Sequence, residues 1–182
     1  VKLLGELGFN RISVGVQDFD RQVQEAVNRI QSEAETSSVI DTARQNGFKS
    51  VSIDLMYGLP KQTIQGFEKT LDKIIAIAPD RLSIYNYAHL PRLFMPQRRI
   101  DIADIPTPEM RLQILQLAIQ KLTDAGYLYI GMDHFAKPDD ELAVAQRKKQ
   151  LHRNFQGYST FADCDMLAFG ISSISKVGAA YY

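Results

Sequence analysis

Ser52-Ile53-Asp54-Leu55-Met56-Tyr57-Gly58-Leu59-Pro60-Lys61-Gln62-Thr63 is the stretch around which the rest of the chain can be read. An apolar run delivers one carboxylate, Asp54. A Gly-Leu-Pro turn follows, and Thr63 can cap a helix. The unit is therefore strand, turn, helix. Similar units lie on either side. Arg11–Val16 reads as a strand ending at Gln17. Arg81–Tyr85 is another, running into Asn86. Tyr127–Met132 is a fourth, ending at Asp133-His134. Between them, Val39, Ile40 and Ala43 give one helix its apolar face, with Thr36, Ser37 or Ser38 as its cap. Phe67, Leu71, Ile74 and Ile75 mark a helix from Ile64 to Ala78. Leu112, Leu115, Ile119 and Leu122 mark a long one behind Thr107-Pro108.

Strands alternating with helices argue for parallel βα units. The expected fold is α/β, part of an incomplete (β/α) barrel with a parallel sheet and outer helices. The whole of residues 1–182 is expected to be one partial domain. Strand Val51–Leu55 is expected to be covered on both faces. Asp139–Lys149 looks helical, and a last strand is expected around Ala168–Ile174. Val1–Leu7 reads as the end of a helix stopped by Gly8, with no initiator Met, so the chain is expected to begin inside a longer protein.

Charge narrows the function classes. Lys plus Arg equals Asp plus Glu at 21 each, which gives no argument for nucleic acid or an anionic membrane surface. No apolar run approaches the ~20 residues of a membrane span, and no signal peptide is visible. The one cysteine, Cys164, excludes an intrachain disulfide and suits a reducing cytoplasm. It is expected to be buried rather than nucleophilic. One cysteine also cannot hold an iron–sulfur cluster.

Polar residues at strand ends are the candidates for chemistry, because barrel folds bind ligands there. Asp54 is either an acceptor for ligand hydroxyl or ammonium groups or a cap for nearby backbone amides. Gln17 is either a ligand contact or a structural hydrogen-bonding group. Arg29 is either a surface residue or a bidentate grip on a carboxylate. His134 could act as acid or base, metal ligand or substrate clamp, or be a histidine held by Asp133 or backbone. His89, His134 and His152 are too scattered for a metal site. Arg92, Arg98, Arg99 and Arg153 are either solvated or a recognition set for a polyanionic substrate. No glycine-rich phosphate loop is present.

Longer phrases carry a resemblance. Gly15-Val16-Gln17-Asp18-Phe19, Val27-Asn28-Arg29, the Ile53–Thr63 stretch, Asn86-Tyr87-Ala88-His89-Leu90-Pro91, Gly131-Met132-Asp133-His134-Phe135-Ala136 and Leu151-His152-Arg153-Asn154-Phe155-Gln156-Gly157-Tyr158 together resemble the oxygen-independent coproporphyrinogen III oxidases. These are radical S-adenosylmethionine enzymes of haem biosynthesis.

The resemblance implies oxidative decarboxylation of two propionates of coproporphyrinogen III to vinyl groups, giving protoporphyrinogen IX. A [4Fe–4S] cluster would cleave S-adenosylmethionine to a deoxyadenosyl radical, which takes a hydrogen from the propionate. It further implies that Gln17, Arg29 and Asp54 hold S-adenosylmethionine. Ala88 and Ile174 would contact a second molecule of it, with Gln156 beside them. Arg92, Arg99 and His134 are substrate-binding candidates, and no catalytic residue is assigned. An electron donor, a monomeric state and a cytoplasmic location are expected.

The family's Cys-x-x-x-Cys-x-x-Cys motif and early strands would lie upstream of Val1, and a helical region beyond Tyr182, so this stretch alone is expected to be inert. A radical S-adenosylmethionine haem chaperone, a cluster-free aldolase-like barrel enzyme and a simple binding fragment are the alternatives. The chaperone tends to carry a shorter, Trp-ending motif, and this chain has no Trp.

Overall fold

Three parallel strands form the frame of the sheet: β1 (Arg11–Gln17), β2 (Ser50–Tyr57) and β3 (Arg81–Asn86). They are seen in a computed structural model that describes residues 1–154 and 157–182. Helices α1 (Lys2–Glu6), α2 (Arg21–Ala26), α3 (Glu33–Gln45), α4 (Ile64–Ile77) and α5 (Pro108–Asp124) precede, connect or follow them. The sheet is completed by β4 (Leu128–Gly131) and β5 (His134–Ala136), in the order β1-β2-β3-β5-β4.

The last two strands depart from the expected pattern. After β4 the chain does not cross over. It reverses through a two-residue connection, with Gly131 at φ 141° and Met132 at φ 49°, and β5 enters between β3 and β4, antiparallel to both. Positive φ at such a reversal matches the twist of the flanking strands. His134 therefore lies on a strand, not beyond one. The sheet is mixed but mostly parallel, and the α/β class with outer helices stands.

Local chemistry sets the helix boundaries. Thr63 Oγ1 accepts from Gly66 N at 3.0 Å and opens α4, which turns Phe67, Leu71 and Ile74 into the core at helical spacing. Helix α3 starts a turn earlier than expected. Ser32, not residues 36–38, caps it: Glu35 N donates to Ser32 Oγ at 3.1 Å and Ser32 N to Glu35 Oε2 at 2.8 Å. This capping box satisfies two end donors at once. In α5 the buried residues are Ile114, Ala118 and Leu122. Leu112, expected in the core, is exposed, because two residues before Ile114 is about 200° around the helix.

The sheet has two unlike faces. Val51, Ile53, Leu55 and Tyr57 of β2 point into a core with Leu82, Ile84 and Phe135 and the buried residues of α3, α4 and α5. Ser52, Asp54 and Met56 alternate onto the other face and are half-buried. Asp54 pairs with Gly15 and Ser83, and Ser83 with His134. Opposed positions share a face, so this side carries a polar row. The expectation of two covered faces gives way to one apolar and one polar face.

The chain divides into two compact units, residues 1–140 and 141–182. The second contains α6 (Glu141–Arg147), the antiparallel pair β6 (His152–Asn154) and β7 (Gly157–Ser159), and the two-residue pair β8 (Lys176–Val177) and β9 (Ala180–Tyr181). The strand expected over 168–174 does not form. Gly170 takes φ 128°, and Ser173 Oγ bonds back to its carbonyl at 2.7 Å, which bends that segment. No helix among the described residues is long and apolar enough to cross a membrane.

Candidate functional site

Gly15 is the point on which the candidate residues converge. Between Gly15 and Gln17 the pairing with β2 shifts: Gly15 faces Asp54 and Gln17 faces Leu55. The bulge leaves Gln17 at φ 67° and re-aims its side chain. Asn28, at φ 52°, turns the α2–α3 connection so that Arg29 Nη2 donates to the Gly15 carbonyl at 2.6 Å. A Cβ on residue 15 would lie 2.9 Å from Gln17 Nε2 and 3.3 Å from Arg29 Nη2. Glycine lets these two side-chain ends approach closely; a Cβ there would push them aside.

Beside this point lies a cleft of about 410 Å³ whose lining includes Gln17, Asn28, Arg29, Met56, Tyr87 and Arg99. Apolar walls with a few convergent polar groups are the usual make-up of a small-molecule site.

Asp54 is not at the end of its strand. It stands inside β2 with Leu55, Met56 and Tyr57 beyond it. Its Oδ2 accepts from Ser13 Oγ at 2.9 Å, on the polar sheet face, and it opposes Gly15. Gln17, Arg29 and Asp54 are thus gathered around one glycine. Ala88 is exposed, and its carbonyl accepts from Nε2 of Gln97, a cleft residue, at 3.0 Å.

Of the arginines, Arg99 lines the cleft; Arg92 is exposed and not among its lining residues. Arg98 Nε bonds to the Pro91 carbonyl at 3.0 Å. His134 sits on the polar face, edge-on to Tyr85 with ring centroids 6.1 Å apart. Burial pushes the Tyr85 phenol above its ordinary range; a Ser83 hydrogen bond opposes the shift, while Asp54 and Asp133 add to it.

In the second unit, Ile174 is exposed and outside any strand. Arg153 stacks on Tyr158 at 5.9 Å. Gln156 lies outside the described residues. Cys164, expected to be buried, is exposed, in a turn-rich segment with no regular strand or helix to cover it. Among the described residues no group of three or more His, Cys, Asp or Glu side chains could hold a metal ion.

The sequence reading missed a buried polar group behind the cleft. Asp18 is almost fully buried. It accepts from Gln62 Nε2 at 2.6 Å, from Thr70 Oγ1 at 2.5 Å and from Asp20 N at 2.9 Å. Burial pushes its carboxyl above the usual range, and those three hydrogen bonds pull it back. The available signal was an acid directly after Gln17 and a glutamine two residues after the Gly-Leu-Pro turn.

The Radical SAM superfamily description matches residues 1–74. The oxygen-independent coproporphyrinogen III oxidase of Pseudomonas aeruginosa is 56% identical over 179 residues, which are 98% of this chain and 39% of that protein. The Escherichia coli enzyme of the same name is 56% identical over 174 residues, 96% of this chain and 38% of that protein. The solved structure of Escherichia coli coproporphyrinogen III oxidase, described as a radical SAM enzyme, superposes with a TM-score of 0.92 over 98% of this chain and 41% of that one.

Over almost its whole length this chain is similar to the oxygen-independent coproporphyrinogen III oxidases. It spans about two fifths of the length of the family members it matches. An archaeal Elp3 from Methanocaldococcus infernus, 22% identical over 64% of this chain and 28% of that one, with a TM-score of 0.53, shares the oxidase family's fold alone.

Proposed function

We propose that the protein to which this chain belongs converts coproporphyrinogen III to protoporphyrinogen IX by oxidative decarboxylation. In this reading the Gly15 cleft holds S-adenosylmethionine, and residues 1–182 are the later part of the barrel domain. The observation that carries the reading is the convergence of Arg29 and Gln17 on Gly15 beside a 410 Å³ cleft.

The residues fit the ligand. An arginine has five donors in a planar fork, and Arg29 uses Nη2 on the Gly15 carbonyl, which orients the rest of the fork toward an amino-acid carboxylate. Gln17, in the cleft lining, offers an acceptor for an ammonium group, and Asp54, outside that lining on the polar sheet face, is proposed as a second acceptor. Met56, Leu59, Tyr87 and Ile100 give the cleft an apolar wall against which a purine can stack. Ala88 is proposed to contact a second molecule of the cofactor.

Gln17, Arg29 and Asp54 would hold S-adenosylmethionine, which on one-electron reduction would supply the radical chemistry that takes hydrogen from a propionate; the electron released with CO₂ as the vinyl group forms would pass to a one-electron acceptor, a redox partner. The chain's part is to hold and orient, and to exclude water from the cleft. Arg92, Arg99 and His134 are proposed to meet the substrate's carboxylates. The residues described here do not fit an iron–sulfur cluster, since no side-chain group can hold a metal and Cys164 is the one cysteine. The electron donor is a separate partner, and the setting is cytoplasmic.

The test is anaerobic turnover by the full-length protein, with porphyrin products separated after oxidation. The expected result is vinyl-bearing product, lost in Arg29→Ala. Haem binding with no decarboxylation would overturn the oxidase reading in favour of a chaperone.

A further inference from the structure

A continuous set of buried hydrogen bonds ties together the segments that carry the cleft residues. Gln62 uses both ends of its amide: Oε1 accepts from Gly58 N at 2.6 Å, while Nε2 donates to Asp18 Oδ2 at 2.6 Å and to the Met56 carbonyl at 3.0 Å. Asp18 Oδ1 takes the Thr70 hydroxyl, which itself accepts from Phe19 N at 3.2 Å. From Asp18 the set continues outward. Its carbonyl accepts from Gln24 Nε2 at 2.9 Å, the same amide donates to the Gln31 carbonyl at 2.8 Å, and the Gln24 carbonyl accepts from Arg29 N at 2.9 Å. Asp18, Gln24, Gln62 and Thr70 are each at most 5% exposed.

We propose that Gln62, Asp18, Gln24 and Thr70 are positioning residues that hold Gln17, Arg29 and Met56 in one ligand-binding geometry. The inference rests on the reading of the cleft as the S-adenosylmethionine site. None of the four lines the cleft, so each acts through a neighbour. Gln17 is the residue before Asp18 and sits in the sparsely populated left-handed region, a conformation that persists only where its surroundings over-determine it. The Gln24 amide ties the Asp18 carbonyl to Gln31, two residues beyond Arg29, and the Gln62 amide holds the Met56 carbonyl. The bonds of Asp18 to Thr70 and Gln62, of Gln62 to Gly58 N and of Gln24 to the Asp18 carbonyl are buried, so water cannot replace them when one partner is removed. A fully satisfied network of this kind rigidifies what it holds.

The experiment uses the full-length protein, with S-adenosylmethionine affinity by equilibrium dialysis, steady-state kinetics and thermal midpoints. Thr70→Val removes the hydroxyl at constant shape, Thr70→Ser restores it, and Gln62→Ala removes the amide. Leu71→Ala, a core truncation on the same helix, is the control for general destabilisation.

The expected result is a rise of about ten-fold or more in the dissociation constant and KM for S-adenosylmethionine in Thr70→Val and Gln62→Ala, with kcat at saturation largely kept. Thr70→Ser returns both near the parent, and Leu71→Ala lowers the midpoint with affinity within two-fold. Parent-like affinity in folded Thr70→Val overturns the positioning role, as does an equal loss in Leu71→Ala. Absence of binding by the parent protein overturns the cofactor reading and the inference with it. If Gln62→Ala does not fold, the Thr70 pair decides the matter.

Discussion

Arg29 donates from Nη2 to the carbonyl oxygen of Gly15 at 2.6 Å, so an arginine from the α2–α3 connection is fastened to the strand that it faces. The bond fixes where the guanidinium plane lies before any ligand arrives.

Replacing Arg29 by Lys keeps the charge and loses the fork. A hydrogen bond to a charged group contributes roughly 1.5–3 kcal/mol. Arg29→Lys in the full-length protein is therefore expected to weaken S-adenosylmethionine binding about 10- to 100-fold with little change in thermal midpoint. Parent-like affinity would remove Arg29 from the site.

Gly15→Ala tests the close approach. The added Cβ meets Gln17 Nε2 at 2.9 Å and Arg29 Nη2 at 3.3 Å. Both are ends of side chains and can shift, so stability should change by less than about 1 kcal/mol. Ligand affinity should fall. Denaturant melts beside binding isotherms separate the two effects, and a large stability loss with affinity kept would contradict the assignment.

Leu71 is fully buried between α4 and the sheet. Leu71→Ala should cost about 2–5 kcal/mol by transfer and cavity terms, read from urea midpoints. A cost below 1 kcal/mol would mean that the core collapses around the gap.

Alkaline pH offers a further check. Tyr127 is buried, its hydroxyl donates to the Pro79 carbonyl at 2.7 Å, and burial, with the Asp80 charge adding to it, pushes its phenol up from 10 to about 12. The folded state therefore keeps a proton that the unfolded chain gives up. Stability from this group is complete below pH 10 and is lost as pH rises through about 12. At about 1.4 kcal/mol per pKa unit the loss approaches 3 kcal/mol. Tyr127→Phe should flatten the fall in denaturant midpoint between pH 9 and 11.5; an unchanged fall would assign it to other groups.

Much of this was readable in the chain. Thr63 and Thr107 cap helices as their types suggest, and Phe67, Leu71 and Ile74 turn inward at helical spacing. Asp54, Gln17 and Arg29 gather around Gly15. The errors have physical causes. Ser32 outcompeted three later hydroxyls because Glu35 completes a capping box. The β4–β5 reversal depends on Met132 taking a positive φ, which a methionine side chain does not advertise. Asp54 looked like a strand end because the run Ile53-Asp54-Leu55 seems to stop at the turn, yet pairing carries β2 on to Tyr57. Each of Asp18 and Gln62 stood out by its place in the sequence, but nothing paired them: they are 44 residues apart, and no periodicity links two polar residues that meet only after the sheet has formed.

The inserted strand β5 bears on how the chain assembles. Joining β1 to β2 or β2 to β3 requires closing a whole crossover, and parallel pairing is slow for that reason. The β4–β5 hairpin closes over two residues, an event on the scale of microseconds. Its expected place is early, as a preformed edge against which β3 finds its register, while the cleft, which needs β1, β2 and the residue after β3 in place, is among the last things to exist.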